Sequence, residues 1–263
     1  EFDWKDISPT IFGAVFESTL NPETRRAGGM HYTSIENIHK VIDPLFLDAL
    51  RDELDTCKAQ KTEKARRKAL LDFQEKLAAG RYFDPAAGSG NFLTETYLSL
   101  RRLENEVLRE LSGVEVFLGG IDNPVKVSIA QFYGIEINDF AVTVARTALW
   151  IAESQMMKET ESIVHMTLDF LPLRTYDNIH EGNALHMDWR EVLPPTDNVR
   201  VMGNPPFVGY TYQTAAQKED MAAIWQDAGG KPYPSSGKID YVACWYFKAA
   251  TPSFRHARRR SLR

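Results

Sequence analysis

Arg81-Tyr82-Phe83-Asp84-Pro85-Ala86-Ala87-Gly88-Ser89-Gly90-Asn91-Phe92 is the stretch from which the rest of the chain can be placed. An apolar approach stops at Asp84-Pro85, and a loop of small residues then runs into a helix-like segment at 93–103. That order predicts a strand, a tight glycine turn and a helix N-terminus. Glycines let a ligand touch the backbone there, and the first N–H groups of a helix can receive an anion. A second stretch, Val199-Arg200-Val201-Met202-Gly203-Asn204-Pro205-Pro206-Phe207, ends another strand on a polar residue, two prolines and an aromatic.

Outward from these two stretches the pattern alternates. Residues 131–137 read as a strand ending in Glu136, with Asn138-Asp139 capping a helix expected over 140–157. A weaker strand signal lies at 178–183. Strands alternating with helices at these intervals imply parallel pairing through right-handed crossovers. Residues 112–126 and the polar segment from 208 to about 238 read as loops, and 240–250 as an apolar helix.

Upstream, Ile11, Phe12, Val15, Phe16 and Leu20 have the spacing of an amphipathic helix, ended by Asn21-Pro22. A Gly28-Gly29 turn then leads to Tyr32, and Thr33 or Ser34 can cap a helical pattern over 35–54. This turn is either a plain helix cap with a buried tyrosine or a place to hold a ligand carboxylate. The basic run at 58–68 reads as a solvated helix face, with contact to a phosphate backbone as the minority reading. Three regions follow: a helical segment at 1–79, an α/β core at 80–250, and an arginine-rich tail at 251–263. The tail is either a natural basic arm or incidental.

Composition sets bounds. The chain has 263 residues, 43% of them hydrophobic and 25% charged, which is ordinary for a globular protein. A net charge of −5 is not that of a free-standing nucleic-acid binder, so any basic contact surface is local or lies elsewhere. Two cysteines, Cys57 and Cys244, make neither a disulfide framework nor a metal site alone, and they fit a reducing cytoplasm. No apolar run approaches the ~20 residues of a membrane span. Glu1-Phe2-Asp3-Trp4 has neither the pattern of a signal peptide nor an initiator methionine, and the chain is expected to be part of something longer.

In a doubly wound sheet, ligands sit beyond the carboxyl ends of the strands, where Asp84, Glu136 and Asn183 are placed. Glu136 can accept from both hydroxyls of a ribose, and Asn183 can pair with an adenine edge. A dehydrogenase would show G-x-G-x-x-G with an acid ~20 residues on. Here the third glycine is missing and Glu136 lies far beyond that spacing, which disfavours hydride transfer. Asn204-Pro205-Pro206-Phe207 suits a different chemistry. An aromatic amino nitrogen is a poor nucleophile, and two acceptors aimed at its hydrogens favour a more tetrahedral nitrogen. The Asn204 side-chain oxygen and the Pro205 carbonyl supply such a pair, stiffened by the prolines, while Phe207 can stack on an extruded base. Cytosine C5 chemistry needs a cysteine nucleophile that neither Cys57 nor Cys244 provides.

With these residues the chain resembles the S-adenosylmethionine-dependent DNA adenine-N6 methyltransferases of the gamma arrangement, above all those in fused restriction–modification proteins. Asp84-Pro85-Ala86-Ala87-Gly88-Ser89-Gly90-Asn91-Phe92 matches the family's cofactor loop, and Asn204–Phe207 its catalytic motif. The resemblance implies a Rossmann-like class I core, a parallel-rich sheet with helices on both faces, incomplete at its C-terminus. It implies cofactor contacts at Asp84, Ala86, Gly88, Gly90, Asn91, Phe92, Glu136, Ile137, Asn183 and Ala184, with Tyr32 and Thr33 at the methionine end. Asn204, Pro205, Pro206 and Phe207 are the implied catalytic residues. The implied partners are double-stranded DNA and, in the full-length protein, a nuclease and a target-recognition domain. Asn183 departs from the aspartate common in the family. Alternative acceptors are an RNA base or a protein glutamine, and a cofactor-binding but inactive part of a larger assembly is the other reading.

Overall fold

In the computed structural model β1 (Arg81–Asp84) lies inside a four-stranded sheet of order β3-β2-β1-β4. The structure describes residues 9–10, 33–112, 124–168, 176–193, 196, 198–227 and 229–250. β1 pairs in parallel with β2 (Phe132–Glu136) and with β4 (Val199–Val201), and β2 pairs in parallel with β3 (Ile179–Glu181). Asp84 stands opposite Gly134, and Glu136 opposite Glu181. The order reverses at β1, because β2 and β3 lie to one side and β4 to the other. Such a reversal opens a crevice at the carboxyl ends of the strands.

Successive side chains of β1 point to opposite faces, as strand geometry requires. Tyr82 joins a core with Phe132, Leu93, Tyr97, Leu100, Ala145 and Leu149, and Phe83 joins another with Trp189, Leu185, Tyr241 and Trp245. The first layer holds α4 (Asn91–Ser112) and α5 (Asp139–Val164), with α1 (Ile35–Ile42), α2 (Asp48–Lys58) and α3 (Glu63–Ala79) packed outside α4. The second holds α6 (Trp189–Val192), α7 (Ala215–Ile224) and α8 (Ala243–Ala250). Helices therefore cover both faces of the parallel sheet, as expected. Among the described residues no helix is long and apolar enough to cross a membrane.

Local chemistry explains most boundaries. The side chains of Ser34, Thr62 and Asn138 accept the N–H groups of Asn37, Ala65 and Ala141, capping α1, α3 and α5. The basic run at 58–68 straddles the break between α2 and α3 and is largely exposed, with Lys68 paired to Asp72. The pattern at 35–54 is interrupted by a wide turn at Asp43–Leu47, where Pro44 lacks the N–H a regular helix would use. α5 runs on to Val164 rather than stopping at 157.

One expectation is corrected: the segment from 208 to 238 is not loop throughout, since it contains α7. Thr214 accepts the Gln217 N–H while the Gln217 side chain accepts the Thr214 N–H, a capping box that offsets the polar composition. The helix expected within 1–20, Tyr32 and the basic tail lie outside the described residues, apart from Pro9 and Thr10.

Beneath α4 lies a buried polar knot. Arg101 donates to Glu104 at 2.6 Å and to the Thr160 hydroxyl at 2.5 Å, joining α4 to α5. Glu104 also accepts from Gln74 of α3 and from the backbone N–H groups of Lys126 and Val127. Arg101 and Glu104 are both fully buried, so each depends on its partners for the solvation it has lost. Replacing Arg101 by Leu should lower the unfolding free energy by about 3–5 kcal/mol by leaving the Glu104 charge uncompensated. Urea denaturation checks this. The Arg101→Leu/Glu104→Leu double variant should lose less than the sum of the two singles.

Candidate active site

The crevice is built where β1 and β4 end side by side. The Met202 N–H donates to the Phe83 carbonyl at 2.9 Å, which brings Gly203 against Asp84. Gly203 has φ +144°, and a Cβ placed on it would lie 2.2 Å from Asp84 Oδ1. No side chain fits there, so the carboxyl group of one motif fills the space that glycine leaves in the other.

Asp84 is 1% exposed. Its Oδ1 accepts the Ala86 N–H at 2.9 Å, whereas Oδ2 has no partner among the described residues. Burial pushes this carboxyl up from the ordinary 3.8 to about 7, opposed by the Ala86 N–H and reinforced by Glu136. In the folded protein alone, its contribution to stability is therefore full below about pH 4 and is lost as the pH rises through about 7.

The glycine loop turns through Gly88 (φ +54°) and Gly90 (φ +80°), both in the left-handed region that glycine adopts without cost. A Cβ on Gly90 would stand 2.8 Å from the Ala145 Cβ, so the loop lies directly on α5. Asn91 opens α4 with a buried side-chain oxygen that lacks a partner among the described residues. Phe92 is buried in the core, which leaves its backbone and its hold on the loop as the means of acting on a ligand. Ala86 is half-buried.

At the end of β2, Glu136 receives the Gly88 N–H at 2.8 Å and the Asn138 N–H at 3.0 Å. Burial raises its pKa while the backbone donors act against the rise. The next residue, Ile137, is 66% exposed, and an aliphatic side chain so placed offers a flat apolar face to a ring. After β3, Asn183 receives the Leu185 N–H on Oδ1 at 2.9 Å, and its Nδ2 donates to Asp220 at 3.2 Å. The Ala184 carbonyl accepts from Trp189 Nε1 at 2.8 Å and from Lys248 Nζ at 2.6 Å. Lys248 Nζ also donates to the carbonyls of Leu185 and Met187, and burial lowers its pKa to about 8.

Beyond β4, Asn204 is exposed and its Nδ2 donates to the Thr33 hydroxyl at 3.3 Å. Two residues far apart in sequence thus meet at the crevice. Pro205 and Pro206 are half-buried, and Phe207 is 62% exposed. The turn after the motif is held by the C-terminal helix region. Val208 receives the Tyr241 N–H on its carbonyl and donates its own N–H to Asp240, while Trp245 Nε1 donates to the Pro85 carbonyl.

The structure thus gathers Thr33, Asp84–Phe92, Glu136, Ile137, Asn183, Ala184 and Asn204–Phe207 along one edge of the sheet. Sequence reasoning missed Asp220, Tyr241 and Lys248, which tie the loops together. The Thr214-Ala215-Ala216-Gln217 signature was the signal that could have placed Asp220 on a helix. Among the described residues no cluster suited to a metal ion occurs. The donor set fits a ligand with a cationic group beside Asp84, vicinal hydroxyls for Glu136 and an aromatic ring beside Ile137.

Known proteins resemble the chain in sequence and fold. The chain is 40% identical over 252 residues to DNA methyltransferase A of Bacillus subtilis (strain 168), covering 94% of this chain and 27% of that protein. It superimposes with a TM-score of 0.83 and 39% identity on the type IIL restriction–modification enzyme MmeI solved in complex with DNA, covering 94% of this chain and 32% of that one. The chain therefore spans about a quarter to a third of the length of these relatives. The description MmeI, DNA-methyltransferase domain, matches residues 58–261, and by that match the chain belongs to the MmeI DNA-methyltransferase domain family.

Proposed function

We propose that this chain is the catalytic core of a restriction–modification enzyme that moves a methyl group from S-adenosylmethionine to the N6 amino group of adenine in double-stranded DNA. The observation that carries this reading is the junction of Asp84 with Gly203, which sets the cofactor-type loop beside the exposed Asn204-Pro205-Pro206-Phe207. The relative solved with DNA, and the DNA methyltransferase of Bacillus subtilis, support the acceptor class.

When bound, the cofactor supplies an electrophilic methyl group on a sulfonium. Asp84 would face its cationic end, Glu136 its ribose hydroxyls, Ile137 its ring, and Asn183 with Ala184 the adenine edge. Thr33 would face the methionine end, where the resemblance also expects Tyr32. Asn204 Oδ1 and the Pro205 carbonyl accept from the target amino group, which keeps the nitrogen lone pair out of the ring. Transfer would form the N–C bond at the expense of the S–C bond, leaving a neutral thioether, and the amino proton facing Asn204 Oδ1 would pass to water. Phe207 stacks on the extruded base. The Thr33 hydroxyl, by taking the Asn204 N–H, leaves Asn204 Oδ1 as the acceptor. Sequence recognition and DNA cleavage are assigned to other parts of a longer polypeptide, because the relatives extend well beyond the span matched here.

The test is transfer of labelled methyl groups to duplex DNA, with RNA and protein as competing acceptors. Label in adenine N6 supports the reading. Label in RNA or glutamine would replace it, and cofactor binding without transfer would favour a cofactor-binding part of a larger assembly. Replacing Asn204 by Ala should reduce transfer by about a hundredfold or more while S-adenosylhomocysteine binds within about twofold of wild type. Because Asp84 titrates near 7, calorimetric affinity for S-adenosylmethionine should rise by up to about tenfold from pH 6 to pH 8 as the carboxylate forms. Asp84→Asn should flatten that profile.

A further inference from the structure

We propose that Asp220 is a positioning residue that fixes the orientation of the Asn183 amide and so makes the site select an amino-bearing purine. The inference rests on the reading of 182–185 as the segment beside the cofactor adenine.

Asp220 belongs to α7 and is 6% exposed. Three side chains converge on it: Asn183 Nδ2 at 3.2 Å, Tyr241 OH at 2.5 Å and His186 Nε2 at 2.5 Å. A carboxylate only accepts, so each facing group has to present a donor. Burial, with Asp220 beside it, pushes the Tyr241 phenol well above its usual range, and the hydroxyl keeps its proton.

For Asn183 the consequence is directional. Its amide could present either nitrogen or oxygen toward α7, but Asp220 admits only the nitrogen. The Leu185 N–H, donating to Asn183 Oδ1 from the other side, requires the same orientation. A carbonyl oxygen has two lone pairs, and the Leu185 N–H uses one. The second is left to accept from a ligand, and the 6-amino group of adenine is such a donor. A 6-oxo purine would instead set oxygen against oxygen.

The backbone around Asn183 cannot adjust to compensate, because Lys248 Nζ holds the carbonyls of Ala184, Leu185 and Met187. Side-chain rotation is the remaining freedom, and Asp220 and the Leu185 N–H together remove it. An aspartate at position 183 would accept without help from α7, but here it would stand against Asp220 as a second negative charge. Asn183 and Asp220 therefore work as a complementary pair.

The test compares calorimetric dissociation constants of S-adenosylhomocysteine and its 6-oxo analogue S-inosylhomocysteine. Wild type should favour the adenosine compound by about tenfold to a hundredfold. Asp220→Asn can present either oxygen or nitrogen to Asn183, so that of these two holds on the amide only the Leu185 N–H remains, and the ratio should fall by about tenfold. The exchanged pair Asn183→Asp/Asp220→Asn restores an acceptor at 183 held by a donor at 220, and its ratio should return to within about twofold of wild type. Should Asp220→Asn fail to fold in thermal melts, the exchanged pair alone decides: loss of its adenosine preference overturns the inference. A merely structural role for Asp220 would weaken both compounds equally, and a ratio unmoved in a folded Asp220→Asn overturns the inference while leaving the cofactor reading intact. Binding of neither compound by wild type overturns the cofactor reading itself, and the inference with it.

Discussion

Everything at the crevice depends on the contact between the Asp84 carboxyl and the bare α-carbon of Gly203. β1 and β4 are parallel neighbours, and the sheet order reverses at β1, so their ends flank the crevice at the carboxyl edge of the sheet. A side chain at 203 would hold the two ends apart by the width of a methyl group. Without it, the loop that follows β1 and the proline turn that follows β4 start from one shared point. Glu136 then carries the same registration across to β2, because it receives both the Gly88 N–H and the Asn138 N–H at the start of α5.

The buried acids separate into two kinds by their partners. Both oxygens of Glu104 are bonded, to an arginine, a glutamine and two backbone N–H groups, and the result is a cross-brace under α4. Asp84 is equally buried, yet one of its oxygens has no partner among the described residues, and desolvation raises its pKa accordingly. A fully bonded acid serves the fold. An acid held partly unsatisfied beside a glycine loop retains the capacity to bind a cation, at some cost to the fold that holds it. Asp220 lies between these cases, since its bonds go to side chains that themselves border the site.

The sheet was legible because its signals are local. β1 ends at Asp84 and β2 at Glu136, where apolar runs meet an acid, whereas β4 stops at Val201, one residue before the apolar run ends at Met202. The glycine loop and the Asn-Pro-Pro-Phe turn were legible for the same reason, since their chemistry is written in consecutive residues. What could not be read was the bracing between them. Arg101 and Glu104 sit in a stretch of charged residues that looks like any solvated helix face, and only the packing of α3 and α5 over them shows that they are buried. The contact of Asn204 with Thr33 spans 171 positions of sequence. α7 was missed because alanines and polar residues gave it a weak apolar stripe, although its capping box was present in consecutive letters.

Lys248 has a consequence for how the molecule comes into being. It lies 61 positions beyond Met187, whose carbonyl it holds together with those of Ala184 and Leu185. A chain emerging from the ribosome presents the first three strands, the glycine loop and the 182–187 turn well before the ammonium group that secures the turn. The helix that carries Lys248, α8, also covers the Phe83 face of the sheet through Trp245, so that face and the 182–187 turn are completed together when α8 docks. One late-synthesised helix thus closes both the core and the rim of the same sheet.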